Sequence, residues 1–159
     1  VRARKLRAMA DIAFQYNPEA RCCDVVFNGT DFAFDETPAS AMLFSILAKR
    51  RANPDDTLPS PIDNWSEPAS FTARGGTPCD ALDQSGQLSG SRVWLYDRSD
   101  NSEETRQGVE SAIAESVAWL ETIRGLALSL RVRWVASQIL GFKLQAGNTV
   151  LQLRQAIGA

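Results

Sequence analysis

The sequence predicts an α+β fold in which a small antiparallel sheet, made of an N-terminal hairpin and a C-terminal three-stranded meander, packs with two main helices. Three observations carry that expectation. Apolar residues alternate with polar ones over residues 126–134 and again at Leu140, Phe142 and Leu144, which is the period of half-buried strands. Residues 39–47 and 109–120 instead carry apolar side chains three and four apart, the spacing of amphipathic helices. Asn28-Gly29 and Gly147-Asn148 sit between apolar runs, where tight hairpins turn.

The 159 residues, 44% of them hydrophobic, suffice for one core but are too few to favour two full domains. Residues 1–10 are expected to form a basic arm and residues 11–159 a single domain with a long loop at 55–89. In the arm, Arg2, Arg4, Lys5 and Arg7 stand beside Leu6 and Met9, a composition that suits contact with an acidic surface. Asp11 and Gln15 interrupt the apolar run that a secretory signal would need, and no stretch approaches the ~18 apolar residues of a membrane span. The chain therefore reads as made in the cytoplasm and soluble.

The elements follow in order. Ile12, Phe14 and Tyr16 alternate as in a strand until Asn17-Pro18 breaks it. Val25 and Phe27 lead into Asn28-Gly29, and Phe32 and Phe34 follow, so a hairpin would place the aromatics on one face. Thr37-Pro38 reads as a helix start with threonine as the cap. Ala39, Met42, Leu43, Ile46 and Leu47 supply the apolar stripe, and Lys49, Arg50 and Arg51 are placed to complement the negative end of the helix dipole.

Residues 55–89 are rich in Pro, Ser, Gly and Asp, and are longer than the ~12–15 residues of ordinary loops, which suggests a functional excursion or a segment ordered by a partner. Gly90-Ser91-Arg92-Val93-Trp94-Leu95 brings the chain out of it. Asp100 with Glu103, or Asn101 with Glu104, then caps a second helix with Val109, Ala112, Ile113, Ser116, Val117 and Leu120 on its apolar face, and Gly125 ends it. Three strands complete the chain: the first through Leu128 and Trp134, the second through Leu140 and Leu144, the third through Leu151 and Leu153.

The chain contains no histidine, which excludes a Ser-His-Asp triad, a Cys-His pair and every metal site that needs imidazole. Adjacent Cys22 and Cys23 with distant Cys79 match neither a disulfide framework nor zinc-ligand spacing, and they read as free thiols or small buried hydrophobes. Gly75-Gly76 lacks the lysine and helix of a phosphate-binding loop. No cofactor is implied.

Glycoside hydrolysis needs only two carboxylates, so Asp55, Asp56, Glu67, Asp80, Asp83, Glu103 and Glu104 keep a peptidoglycan-cleaving enzyme in view as the alternative. The loop and helix-start positions of these acids have plainer explanations, and the chain is expected not to be an enzyme. Arg131 and Arg133 share a strand face that Lys143 and Arg154 could extend, but a net charge of −2 argues against nucleic acid, and neither nucleic acid nor membrane is expected as a partner. Trp94 and Trp119 are expected in the core, and Trp65, in the polar loop, at a contact with another subunit.

Taken in order, several short motifs resemble the baseplate wedge proteins of Mu-like contractile-tailed phages. They are Asp11-Ile12-Ala13; Asp24, Gly29, Asp31 and Asp35; Arg50-Arg51-Ala52; Asp55-Asp56-Thr57-Leu58-Pro59; the Gly90 to Leu95 block; and Ala118-Trp119-Leu120. One departure is Arg74-Gly75-Gly76-Thr77-Pro78-Cys79-Asp80, where that family usually carries a tryptophan-rich stretch. The resemblance implies a structural virion protein of the tail baseplate, related to the sheath initiators historically labelled lysozyme-like. A tailocin component would look the same.

The implied partners are the large wedge protein and the tail sheath protein, with hub or tube proteins as further neighbours, in a sixfold ring. Strand addition to an open edge of the meander is the implied mode of binding. The expected interface comprises Leu128, Leu130, Arg131, Val132, Arg133 and Trp134 on one strand and Thr149, Leu151 and Leu153 on another, with Trp65, Arg74 and Arg92 from the loop region. Arg92 is expected to orient the loop into the helix through carboxylate or carbonyl contacts.

Overall fold

The computed structural model describes residues 11–17, 19–20, 22–60, 72–81 and 88–158. The basic arm, Trp65, Glu67 and Asp83 lie outside the described residues. The fold is α+β, and its core is one layer of meander under one layer of helix.

The meander comprises β7 (Leu128–Ala136), β8 (Ile139–Ala146) and β9 (Thr149–Ala156), antiparallel in the order β7-β8-β9. Val132, Phe142 and Leu153 stand opposite one another across the three strands, as do Leu130, Leu144 and Leu151. This inner face packs on α2 (Glu103–Thr122), which buries Val109, Ala112, Ile113, Ser116, Val117 and Leu120, the stripe its spacing predicts. From α1 (Ala39–Leu47), Met42 and Ile46 join the same core.

Period-two alternation continues through β7 to a register shift between Trp134 and Ala136. The β7–β8 turn needs positive φ at Gln138 (59°), a non-glycine position that gave no sequence signal. At the β8–β9 turn only Gly147 takes positive φ (56°). Gly125 (φ 64°) ends α2, donating its amide to the Glu121 carbonyl at 3.0 Å.

The N-terminal third forms a three-way β junction. Three kinked strands run as β1 (Asp11–Ile12) with β2 (Phe14–Asn17), β3 (Cys22–Val25) with β4 (Phe27–Asn28), and β5 (Asp31–Phe32) with β6 (Phe34–Asp35). Each strand exchanges partners at its kink, so β1 pairs with β6, β2 with β3 and β4 with β5. A ring of backbone bonds closes the centre: Ala13 N–H to the Ala33 carbonyl (2.8 Å), Ala33 N–H to Val26 (2.9 Å) and Val26 N–H to Ala13 (2.9 Å). The predicted hairpin is the β4–β5 leg, with the Phe27 and Phe32 rings 5.2 Å apart. Its turn is Gly29-Thr30, with positive φ at Gly29 alone, while Asn28 pairs with Asp31.

Both predicted helix caps are corrected. For α1, the Asp35 carboxylate accepts from Thr37 N–H and Oγ1 and from Ser40 N–H and Oγ at 2.6–3.0 Å, so an acid on a strand holds the helix start; Thr37 adds only a bond from Ala39 N–H at 3.2 Å. For α2 the cap is Ser102, whose Oγ accepts from Thr105 N–H at 3.1 Å, in place of Asp100 or Asn101. The expected dipole role of Lys49, Arg50 and Arg51 is also corrected, because α1 ends at Leu47 with Ala48 extended, and the three cations lie beyond its last turn.

Candidate interaction site: an open sheet edge braced by the Gly90 to Leu95 block

The end of α1, the loop and α2 meet at residues 90–95. Gly90 takes φ 84° against residue 48, where a Cβ would overlap the Ala48 carbonyl. Ser91 then pairs in parallel with Lys49: its amide donates to the Ala48 carbonyl, its own carbonyl accepts from Arg50 N–H (2.9 Å each), and its buried Oγ donates to the Ile46 carbonyl at 2.6 Å. Val93 to Tyr96 form a 3-10 turn that buries Val93.

Trp94, expected in the core, is only partly buried. Its indole N–H donates to the Arg50 carbonyl at 2.9 Å, and Lys49 lies over the ring at 5.6 Å. Trp119 packs at the margin of the core and donates to Ser45 Oγ at 3.0 Å.

Arg92 bridges loop and helix, pairing with Glu115 of α2 at 2.6 Å and with Asp56 at 3.4 Å. Arg50 shares Glu115 (2.7 Å) and donates to the Leu88 carbonyl. Arg74 donates to the Asn53 carbonyl at 2.7 Å while its own carbonyl accepts from Ala52 N–H. Arg74 and Arg92 are thus brought together in a brace around the loop, apart from the strand residues.

The strand residues divide by face. Leu128, Leu130, Val132 and Trp134 turn inward, with Leu151 and Leu153 of β9; Arg131 and Arg133 are exposed on the outer face. Thr149 is the first residue of β9, opposite Ala146 across the turn. Side chains of β7 and β9 that looked available for a partner are therefore largely committed to the core, and what the edges offer is backbone.

The two edges differ. The bond from Gly147 N–H to the Ala127 carbonyl (3.0 Å) fixes the phase of the β7–β8 ladder, so the backbone groups of Leu128, Leu130 and Val132 face away from β8. Arg106 of α2 covers that edge, donating to the Val132 carbonyl at 3.2 Å while Glu103 (2.7 Å) and Glu110 (2.6 Å) hold its guanidinium. Trp134 Nε1 adds a bond to the Ser102 carbonyl at 3.2 Å. A charged side chain seated on edge carbonyls obstructs pairing with another strand.

On the other side, Ile157 N–H to the Gln138 carbonyl (2.7 Å) sets the phase of the β8–β9 ladder, and the backbone groups of Val150, Gln152, Arg154 and Ala156 face outward. Beside the C-terminal half of that edge a cleft of about 740 Å³ opens between β9, α1 and the β2–β3 leg, bordered by Arg154, Gln155, Phe44, Leu47 and Tyr16. Phe44 (43% exposed) and Leu47 (40%) turn apolar surface toward it. The helical spacing assigns Leu47 to the core stripe and gives Phe44 no place in it, and only the three-residue interval between the two points to a second apolar side of α1.

Three of the described acidic residues from the hydrolase alternative serve as local fastenings. Asp56 accepts from Asn53 N–H (2.8 Å) and holds Arg92. At Asp80, bonds from the Ser89 and Thr77 amides outweigh the upward push of burial, and its pKa is lowered. Glu103 is likewise held low, chiefly by its bonds from Arg106. A general acid needs the opposite shift. Cys22 is a free, exposed thiol and Cys23 a free, half-buried one whose pKa burial raises.

These features define an α+β protein whose most distinctive surface is a strand edge, unpaired among the described residues, beside a cleft lined by both apolar and charged side chains. The family model described as phage protein GP46 matches residues 38–154, from the start of α1 into β9, and the chain belongs to that family of bacteriophage proteins. Among curated proteins none matches the chain.

Proposed function

We propose that this chain is a non-enzymatic structural component of a contractile tail baseplate wedge that binds the large wedge protein and initiates the sheath by accepting a neighbour's strand. The open β9 edge beside its cleft carries the reading. An extended segment laid along β9 finds outward amides and carbonyls at Val150, Gln152 and Arg154, while its inward side chains meet Phe44 and Leu47. Main-chain bonds then supply affinity, and the alternating side chains set register. Membership of a phage family and the order of the short motifs support the same role.

Gln152→Pro and Arg154→Pro test this reading. Proline at these positions removes an amide that faces away from β8, so the internal ladder is kept while docking along the edge is blocked. Both variants are expected to fold, by circular dichroism, and to fail in sheath assembly. Normal sheath assembly with either folded variant would overturn strand addition at β9, and the neighbours of this chain in a particle reconstruction test the wedge assignment itself.

A further inference from the structure

We propose that copies of this chain contact one another head to tail, the basic outer face of the meander on one copy receiving the acidic, phenylalanine-bearing β junction of the next. The proposal stands apart from strand addition, because it uses the face of the sheet and leaves its edge free.

Charge is segregated along the sequence. Residues 128–156 contain four basic side chains and no acid, whereas residues 11–36 contain six acids and one base. The four cations Arg131, Arg133, Lys143 and Arg154 share the outer face of the meander. Arg131 stands directly opposite Lys143, and Arg133 and Arg154 flank Gly141 from either side. Like charges opposite one another across a ladder destabilise it. Yet none of these four forms an ion pair with a described residue, while Arg50, Arg92, Arg106 and Arg124 are all paired.

Within the junction, Asp11 is committed to Arg124 and Asp35 to the start of α1. Glu19, Asp24, Asp31 and Glu36 are exposed and make no ion pair with a described residue. The same junction exposes Phe27 (62% exposed), Phe32 and Phe34 (64%). Such a surface, acidic and aromatic, fits what the outer face of the meander offers: a groove of about 1020 Å³ lined by Arg131, Arg133, Lys143 and Arg154, with Val135 packed over Gly141 and with Tyr16 and the Arg106-paired Glu110 also on its walls. Arginine guanidinium groups also bind aromatic faces favourably. Because two different surfaces meet, the contact is heterologous and each copy keeps one of each free for another neighbour.

Sedimentation velocity of the full chain over a concentration series, at about 50 mM and about 500 mM salt, tests the proposal. The weight-average sedimentation coefficient is expected to rise with concentration at low salt, with association weakened roughly tenfold or more at high salt. Arg131→Glu with Arg133→Glu, and separately Asp24→Lys with Asp31→Lys, are each expected to sediment as monomers, and an equimolar mixture of the two folded variants is expected to associate again. A wild-type chain that stays monomeric at low salt, association indifferent to salt, or a mixture that fails to recover would each overturn the proposal.

Discussion

Gly90, Ser91 and Asp35 each do work that few other side chains could do in the same place. At Gly90, positive φ coincides with backbone contact, so Gly90→Ala combines strain with overlap at the Ala48 carbonyl and is expected to cost roughly 2–4 kcal/mol in chemical denaturation. Asp35 receives four hydrogen bonds that together outweigh the upward push of burial and hold its carboxyl below its usual range. Its folded pKa is depressed, so its stabilisation is complete above the unfolded value and is lost as pH falls through the folded one. Asp35→Ala is expected to destabilise by about 1–2 kcal/mol at neutral pH, and the gap between variant and wild type should close as acid titrations pass below about pH 4. A gap that persists unchanged into strong acid would contradict that account.

The elements show which parts of the fold could be read from sequence and which could not. The α2 stripe and the three meander strands were legible because each is long enough to repeat its period several times. Their energetics are those of a close-packed core: Leu144→Ala, at a fully buried position on the central strand, is expected to lower stability by about 2–5 kcal/mol, measured by urea unfolding. The N-terminal junction was legible only in part. Its legs are two to four residues long, and the kinks at Ala13, Val26 and Ala33 carry no turn-forming residue, since the constraint there is a tertiary ring of backbone bonds.

The cap of α1 was missed for a similar reason, because its acid lies on a strand outside the local window that capping rules inspect. At the candidate site, the alternation that identified β7 and β9 also led to naming their inward leucines as contacts. The difference between the two edges depends on Arg106 reaching across from α2, a contact 26 residues away in sequence. Arg106→Ala uncovers the β7 edge, and the Val132 carbonyl would then have to find another donor. This variant is expected to stay folded and to gain a tendency to aggregate, read by light scattering.

For the molecule as a whole, a core of helix and sheet leaves exposed the two surfaces proposed for assembly, the β9 edge and the charged outer face. The brace of Arg50, Arg92, Asp56 and Glu115 joins the loop to α2. The non-enzymatic reading predicts no release of product from peptidoglycan by the purified protein; a reproducible activity abolished by substituting any one of Asp55, Asp56, Glu67, Asp80, Asp83, Glu103 and Glu104 would restore the hydrolase alternative. Strand addition at β9 is tested most directly by amide hydrogen exchange, comparing the free chain with the chain bound to its sheath or wedge partner. The amides of Val150, Gln152 and Arg154 should exchange freely in the isolated protein and slow by at least about tenfold on binding, while those of Leu130 and Val132 should not change. Protection arising at the β7 amides, or at neither edge, would contradict the account.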